Sequence, residues 1–206
     1  MKFKKWETAL IAALAVTFFA GAALASQQQE LSGTLIRLHV VANSDSTEDQ
    51  AAKLAARDGV LSELDALLEG VSDREHASKL ISQSMGAIES AAHRAAGGGY
   101  SVHAELKPEY FPTREYETFS LPAGRYMSLR VVLGDGDGRN WWCVVFPPLC
   151  APAADAASAG APLAGEHSSP LLTDEEIALI SESSAGVTVK FKAMEIIGRI
   201  RATLGI

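Results

Sequence analysis

The stretch LIRLHVVANSDSTEDQ, residues 35–50, changes from one pattern of apolar residues to another. Its first half alternates apolar residues with Arg37 and His39, and a period of two is typical of a β-strand with one buried face. The apolar face consists of Ile36, Leu38, Val40 and Ala42. The second half is polar and acidic and leads into a helical pattern. The stretch therefore predicts a half-buried strand over residues 35–42, followed at once by a helix.

This helix is predicted to run from Thr47 to about Glu69, and its start carries capping residues. Ser46 with Asp49, or Thr47 with Gln50, can form a capping box, in which two side chains satisfy free backbone amides. The stripe expected to face the core is Leu54, Val60, Leu61, Leu64 and Leu68. A second helix is predicted over residues 73–96, and the short connection favours packing of the two as a helical hairpin.

Capping does not explain the polar cluster of Asn43, Ser44 and Asp45, which lies where a strand delivers side chains to the edge of a sheet. These are ordinary turn residues, so a structural turn is one interpretation. The other is a surface that a partner protein recognises, and the three residues are our candidates for it. A metal site of Asp45, Glu48 and Asp49 is disfavoured, because hard cations need about six or more oxygen ligands in a defined loop.

The segment after the helices is rich in β-favouring residues. Residues 100–107 alternate cleanly, another strand is expected at about 114–120, and residues 125–146 predict a hairpin around an Asp/Gly-rich turn. Trp141 and Trp142 are adjacent on a predicted strand, so one can enter the core while its neighbour faces out or lies under a loop. The alternative is that both are covered by the helices of the domain and by the FPPLC segment. The outward tryptophan is a further candidate for partner binding, since tryptophan is frequent at interface hot spots.

These elements predict an α+β fold, in which a mostly antiparallel β-sheet is covered by the helical hairpin. The main domain is expected to span residues 26–150. Residues 151–170 are rich in Ala, Pro, Ser and Gly and predict a linker or a long surface loop. Residues 171–206 predict a C-terminal helix, strand and helix that complete the domain.

The N-terminus has the pattern of an export signal. A basic start, MKFKK, precedes an apolar run, and Ala23, Leu24 and Ala25 form a small-x-small cleavage site. Residues 1–25 are therefore predicted to be a signal peptide cleaved after Ala25, with an uncleaved membrane anchor as the alternative. The formal net charge is −7, which disfavours nucleic acid and anionic membrane surfaces as partners.

The chain has two cysteines, Cys143 and Cys150. An exported protein reaches an oxidising compartment, in which the two can form a local disulfide. Two buried thiols are the alternative, because free cysteine is among the most frequently buried residue types. The sequence leaves both interpretations open.

No residue pattern predicts catalysis, a metal site or a cofactor. The five histidines show no HExxH spacing, and the chain contains no Gly-x-Ser-x-Gly motif. We therefore predict a protein that is not an enzyme and takes no cofactor or small-molecule substrate. Two alternatives remain: an envelope-binding module, and an exported cell-envelope hydrolase whose acid/base pair comes from Asp45, Glu48 or His39.

Two long blocks of the chain closely resemble the stage II sporulation protein R family of endospore-forming bacteria. They are LIRLHVVANSDSTEDQAAKLAARDGVL (35–61) and LPAGRYMSLRVVLGDGDGRNWWCVVFPPLC (121–150). The resemblance implies a signalling protein that catalyses no reaction. Such proteins are made in the forespore and secreted into the intermembrane space between forespore and mother cell. There they activate a membrane-embedded aspartic protease of the mother cell, which processes the pro-sigma-E factor.

Overall fold

The computed structural model describes residues 31–116 and 119–149, together with the isolated positions 6, 10, 11, 16 and 29. The predicted cleavage site, the 151–170 linker and the C-terminal helix, strand and helix lie outside the described residues. Among the residues described, no helix is long and apolar enough to cross a lipid bilayer.

One four-stranded sheet organises the described part of the chain. The elements are β1 (Ile36–Val41), α1 (Thr47–Leu67), α2 (Arg74–Gln83), α3 (Met85–Ala95), β2 (Val102–Phe111), β3 (Arg114–Glu115), β4 (Ser120–Leu121), β5 (Gly124–Leu133) and β6 (Asn140–Phe146). The order of strands in the sheet is β2, β5, β1 and β6, and β3 pairs separately with β4. Only the β1–β5 pair of this sheet is parallel. The fold is therefore α+β with a mostly antiparallel sheet, and this prediction is confirmed.

The predicted hairpin over residues 125–146 is wrong, because β1 lies between β5 and β6. The Asp/Gly-rich segment does not fold the chain back onto the neighbouring strand. Instead it carries the chain across the end of β1, which a two-residue hairpin turn cannot do. A strand in such a central position has a hydrogen-bonded neighbour along each of its two edges.

Strand β1 is buried along its whole length, so the prediction of a half-buried strand is wrong. Ile36, Leu38 and Val40 lie in the main core between the sheet and the helices. Arg37 and His39 face the other side of the sheet, where they are 0% and 7% exposed. A second apolar cluster lies on that side, and it contains Leu31, Leu35, Phe111, Phe119, Leu121, Tyr126 and Val144. Residues distant in sequence thus supply a cover that the local pattern of β1 does not reveal.

The helices largely follow the prediction. Helix α1 begins at Thr47 as predicted and ends at Leu67. The predicted second helix is divided at Ser84, whose amide bonds to the carbonyls of both Leu80 and Ile81, a sign of a tightened turn. Ser84 and the nearby Gly86 are weak helix formers, which explains why the break falls there.

Helix α1 approaches α3 closely at Gly59. A Cβ added to Gly59 would lie 2.6 Å from Cβ of Ala95 and 2.9 Å from the carbonyl oxygen of Ala91. Both atoms belong to groups without a flexible side chain that could move aside. The two helices can therefore pack at this distance only because residue 59 has no side chain.

The single strand predicted at about 114–120 is wrong, because two short strands, β3 and β4, pair there with each other. Residues 117 and 118 lie outside the described residues. The amide of Tyr116 donates to the carbonyl of Phe119 at 2.7 Å, which closes the small hairpin. The strand predicted over residues 100–107 is present as β2, which begins at Val102 and extends to Phe111.

Candidate functional site

The polar residues that follow β1 are held by the segment between β5 and β6. The amide of Asp137 donates to the backbone carbonyl of Asn43 at 3.0 Å. The amide of Asp135 donates to the side-chain Oδ1 of Asn43 at 2.9 Å. We refer to residues 42–45 and 134–139 together as the clasp. It fixes the segment that the sequence predicted as a hairpin turn onto the end of the central strand.

Two further contacts extend the clasp to both of its ends. The amide of Gly138 donates to the carbonyl of Ala42 at 3.0 Å. The amide of Arg139 donates to Oδ1 of Asp45 at 2.7 Å, and the two side chains form an ion pair at 3.4 Å. Both side chains of this pair are well exposed, at 62% for Asp45 and 72% for Arg139. The ion pair therefore contributes little stability, whereas the backbone contacts position the loop.

Glycine is required at position 134 of the clasp. Gly134 has a φ of +56°, a region that residues with a Cβ adopt rarely. A Cβ at this position would also overlap Oδ1 of Asn43. Backbone conformation and space thus both exclude a side chain beside Asn43.

We expect Asn43→Ala to lower the free energy of unfolding by about 1–3 kcal/mol, because its amide group has hydrogen-bond partners on both sides. Urea unfolding followed by circular dichroism measures the loss. Asp45→Ala is the matched control, since it removes an exposed ion pair and one exposed hydrogen bond from the Arg139 amide, and should cost about 1 kcal/mol or less. Equal losses in the two variants would contradict the structural role of Asn43.

The carboxylate of Asp49 is the centre of the polar network beside the clasp. It accepts hydrogen bonds from Nδ2 of Asn43 at 2.9 Å, from Oγ of Ser44 and from the hydroxyl of Tyr100 at 2.7 Å. The amide of Asp49 donates to Oγ of Ser46 at 3.1 Å, so Ser46 is the N-cap of α1, as predicted. The Asp49 side chain does not complete the capping box. It joins the start of α1 to the clasp and to Tyr100, which lies two residues before the start of β2.

These hydrogen bonds make Asp49 sensitive to acid. The donors Ser44, Tyr100 and Asn43 lower the pKa of Asp49 from 3.8 to about 2. Because the folded-state pKa is depressed, the stabilisation is fully present above about pH 4 and is lost as the pH falls towards 2. Urea midpoints at pH 6, 4, 3 and 2 should therefore fall more steeply for the wild-type chain than for Asp49→Asn. The same dependence of the urea midpoint on pH in both proteins would show that the Asp49 carboxylate does not contribute to the acid sensitivity of the fold.

The structure removes the reason for which Asn43 and Ser44 became candidates for partner binding. Both were selected because they lacked a structural role, and both bind Asp49 within the domain. Asp45 differs from them, because its side chain remains exposed beside Arg139. Recognition of these three residues by a partner stays a prediction, with Asp45 the most accessible of them.

The two adjacent tryptophans face opposite sides of the sheet, as predicted. Trp141 is 37% exposed, and the guanidinium carbon of Arg57 lies 4.5 Å from the centre of its ring. Trp142 is half-buried against the second apolar cluster, with the guanidinium carbon of Arg114 at 3.7 Å and the ring of His39 at 5.7 Å. Of the pair, Trp141 is therefore the side chain that a partner protein can reach.

Leu54 is an accessible residue that the sequence pattern misplaced. The helical stripe predicted that it faces the core, but it is 37% exposed on α1. The cause is that Lys53 and Arg57, both charged, occupy buried positions on this helix at 5% and 8% exposure. The burial of these two residues depends on their contacts, which are the Arg139 carbonyl of the clasp for Lys53 and the Trp141 ring of β6 for Arg57. The sequence does not show these contacts.

The residues of the hydrolase alternative do not come together. His39 lies on the far side of the sheet, where its Nδ1 contacts Glu109 at 3.0 Å and its Nε2 contacts Asn140 at 2.9 Å. Within the described ranges, no hydrogen bond or ion pair joins any two of Asp45, Glu48 and His39. An acid/base pair needs its two groups close to one substrate atom, and both ring nitrogens of His39 are instead engaged by Glu109 and Asn140.

Sequence reasoning also missed the burial of Arg37. Its side chain is 0% exposed, with its guanidinium carbon 4.1 Å from the ring centre of Phe111 and 5.0 Å from that of Tyr126. Its Nη2 donates to the hydroxyl of Tyr116 at 2.9 Å. The aromatic rings and one hydrogen bond thus hold a buried cation, which connects the β3–β4 hairpin to the sheet.

Cys143 lies on β6, where it is 3% exposed and engaged in a disulfide bond. Cys150, the other cysteine of the chain, lies outside the described residues. The pairing of Cys143 with Cys150 therefore stays a prediction.

The fold and the clasp define an α+β domain whose polar residues at the end of the central strand serve its own structure. A family model described as stage II sporulation protein R (spore_II_R) matches residues 32–156, which include the whole described body of the domain apart from Leu31. The chain belongs to this family of sporulation proteins.

A curated relative supports this assignment. Stage II sporulation protein R of Bacillus subtilis (strain 168) is 38% identical to the chain over 118 residues. The alignment covers 56% of this chain and 53% of the relative, so the chain spans about half the length of the curated relative it matches. No solved structure matches the chain.

Proposed function

We propose that the chain is an exported signalling protein of sporulation. In this proposal it is made in the forespore and secreted into the intermembrane space between forespore and mother cell. There it activates a membrane-embedded aspartic protease of the mother cell, which then processes the pro-sigma-E factor. The observation that carries the proposal is membership of the stage II sporulation protein R family over residues 32–156.

The pattern of the N-terminus supports secretion. Residues 1–25 combine a basic start, an apolar run and a small-x-small site before Ser26, as export signals do. A net charge of −7 accords with a protein partner, since nucleic acid and anionic lipid both attract basic proteins.

The proposed activation is an effect of binding alone. An activator shifts a protease from an inactive to an active state only if it binds the active state more tightly. A shift from about 1% to about 99% active needs an affinity difference of about 10⁴-fold between the two states. The domain therefore has to present a surface that distinguishes two conformations of the protease.

The proposal is tested by co-expression in a host that does not sporulate. The full chain is produced with the cognate protease and its pro-sigma-E substrate, and processing is followed by the decrease in substrate size. We expect processing only when the chain is present. A matched chain without residues 1–25 stays in the cytoplasm and should give none.

Two results would contradict the proposal. One is processing that is equally fast without the chain. The other is a folded chain, exported to the medium or the envelope, that leaves the substrate unprocessed.

A further inference from the structure

Accessible apolar side chains are few in the described body of the domain. Among residues 31–116 and 119–149, the large hydrophobic residues that are more than a third exposed are Leu54, Tyr110 and Trp141, at 37%, 46% and 37%. Tyr110 lies on β2, at the opposite edge of the sheet from the β6 residue Trp141. Leu54 and Trp141 lie on the same side of the molecule. Arg57, which follows Leu54 by one helical turn, contacts the ring of Trp141.

Arg57 holds this surface in one arrangement. Its guanidinium carbon lies 4.5 Å from the ring centre of Trp141, and its Nε and Nη2 reach Oδ1 of Asp58 at 2.8 and 2.7 Å. Leu54 precedes Arg57 by three residues and Asp58 by four, so the three are neighbours on the helix surface. We call Leu54, Arg57, Asp58 and Trp141 the α1–β6 surface.

A second contact fixes β6 relative to α1. The ammonium group of Lys53 donates to the carbonyl of Arg139 at 3.1 Å, directly before β6 begins. The same group donates to Oε1 of Gln50 at 2.7 Å. An anchor that is already ordered before binding loses little conformational entropy when a partner arrives, which favours tight association.

The charged side chains of α1 that are exposed to solvent all carry negative charge. The two cations of α1, Lys53 and Arg57, are both buried. The charged residues of α1 that reach solvent are all acidic, namely Glu48, Asp58, Glu63 and Asp65. Of these, Asp58 and Asp65 lie on the same face of the helix as Leu54, at four and eleven residues from it. The exposed cation directly before β6, Arg139, is paired with Asp45. The charge left beside the apolar anchor is therefore negative, and a matching partner has to carry positive charge.

We propose that the α1–β6 surface binds a segment of the partner protease outside its membrane-spanning part, in which an apolar side chain is flanked by lysine or arginine. The apolar side chain packs against Leu54 and Trp141, and the flanking cations face the acidic residues of α1. The identity of this partner rests on the function proposed above. The chemistry of the segment rests on the exposure and charge of the surface itself.

The test measures affinity of the full chain for the cognate protease in lipid nanodiscs by biolayer interferometry. We expect Leu54→Glu to weaken binding by about 10-fold and Leu54→Lys by more, because only lysine also repels a basic segment. Wild-type affinity should fall by about 10-fold between 50 and 200 mM KCl, since salt screens exposed charges. Tyr110→Ser, at the opposite sheet edge, is the matched control and should bind within about twofold of wild type.

The outcomes separate this inference from the proposed function. If the wild-type chain binds and activates the protease, and Leu54→Lys does so equally well, the α1–β6 surface is not the binding surface. The proposed function then stands without it. If Leu54→Glu binds more weakly than Leu54→Lys, the partner segment is acidic and the inference is overturned. If the folded wild-type chain neither binds nor activates the protease, the proposed function fails and this inference fails with it. Thermal unfolding of each variant confirms that it is folded.

Discussion

Replacing Gly59 by leucine is expected to lower the free energy of unfolding by about 3 kcal/mol or more. The new Cβ would lie 2.6 Å from Cβ of Ala95 and 2.9 Å from the carbonyl oxygen of Ala91, so helices α1 and α3 would have to separate. Domains of this size are stable by about 5–15 kcal/mol, so a loss of about 3 kcal/mol removes roughly a fifth to three fifths of the total stability. Urea unfolding monitored by circular dichroism measures the difference.

Gly86 provides the control for this substitution. It lies in α3, is exposed, and has no atom within 4 Å of the position where a Cβ would lie. Gly86→Ala should therefore stabilise the domain by about 0.5–1 kcal/mol, because alanine is the better helix former. Gly86→Leu should likewise cause no loss, because its side chain would point into open space. A loss at Gly59→Leu no larger than the change at Gly86→Leu would show that α1 and α3 do not pack closely at Gly59.

Leu38→Ala is expected to cost about 3–5 kcal/mol. Leu38 is 0% exposed at the centre of β1, and it lies in the main core between sheet and helices. Truncation removes buried methyl groups and leaves a cavity, because strands on both sides of β1 prevent its collapse. The midpoint of urea unfolding reports the loss.

Leu54→Ala is the comparison for Leu38→Ala, because the same atoms are removed from a side chain that is 37% exposed. We expect a cost of about 1 kcal/mol or less. Comparable losses at Leu38 and Leu54 would contradict the placement of β1 at the centre of the sheet. A small loss at Leu54 also means that its variants remain folded in binding experiments.

Elements whose structure depends on neighbouring residues could be predicted from the sequence. The alternation over residues 35–42 gives β1, and Ser46 with its amide contact to Asp49 gives the start of α1. Capping and alternation depend on contacts a few residues away, so they are visible in a single stretch. The opposite orientation of Trp141 and Trp142 follows from the same period of two.

Strand order and side-chain partners could not be predicted in the same way. The Asp/Gly-rich segment has the composition of a hairpin turn, but the composition does not show that β1 passes between β5 and β6. Asn43 is conspicuous in the sequence, yet its role depends on Asp135, which is distant along the chain. Leu54 matched a buried stripe, because nothing local shows that Arg57 stacks on Trp141. Each of these errors concerns a contact between distant residues.

Reconstitution of the cognate protease in vesicles tests whether the chain activates it by binding. The cognate protease is placed in vesicles with the pro-sigma-E substrate on one face of the membrane, and the purified full chain is added to the opposite face. We expect substrate cleavage to begin on addition of the chain and to increase with its concentration to a plateau. Cleavage at the same rate with and without the folded chain, at concentrations that saturate its binding, would contradict it.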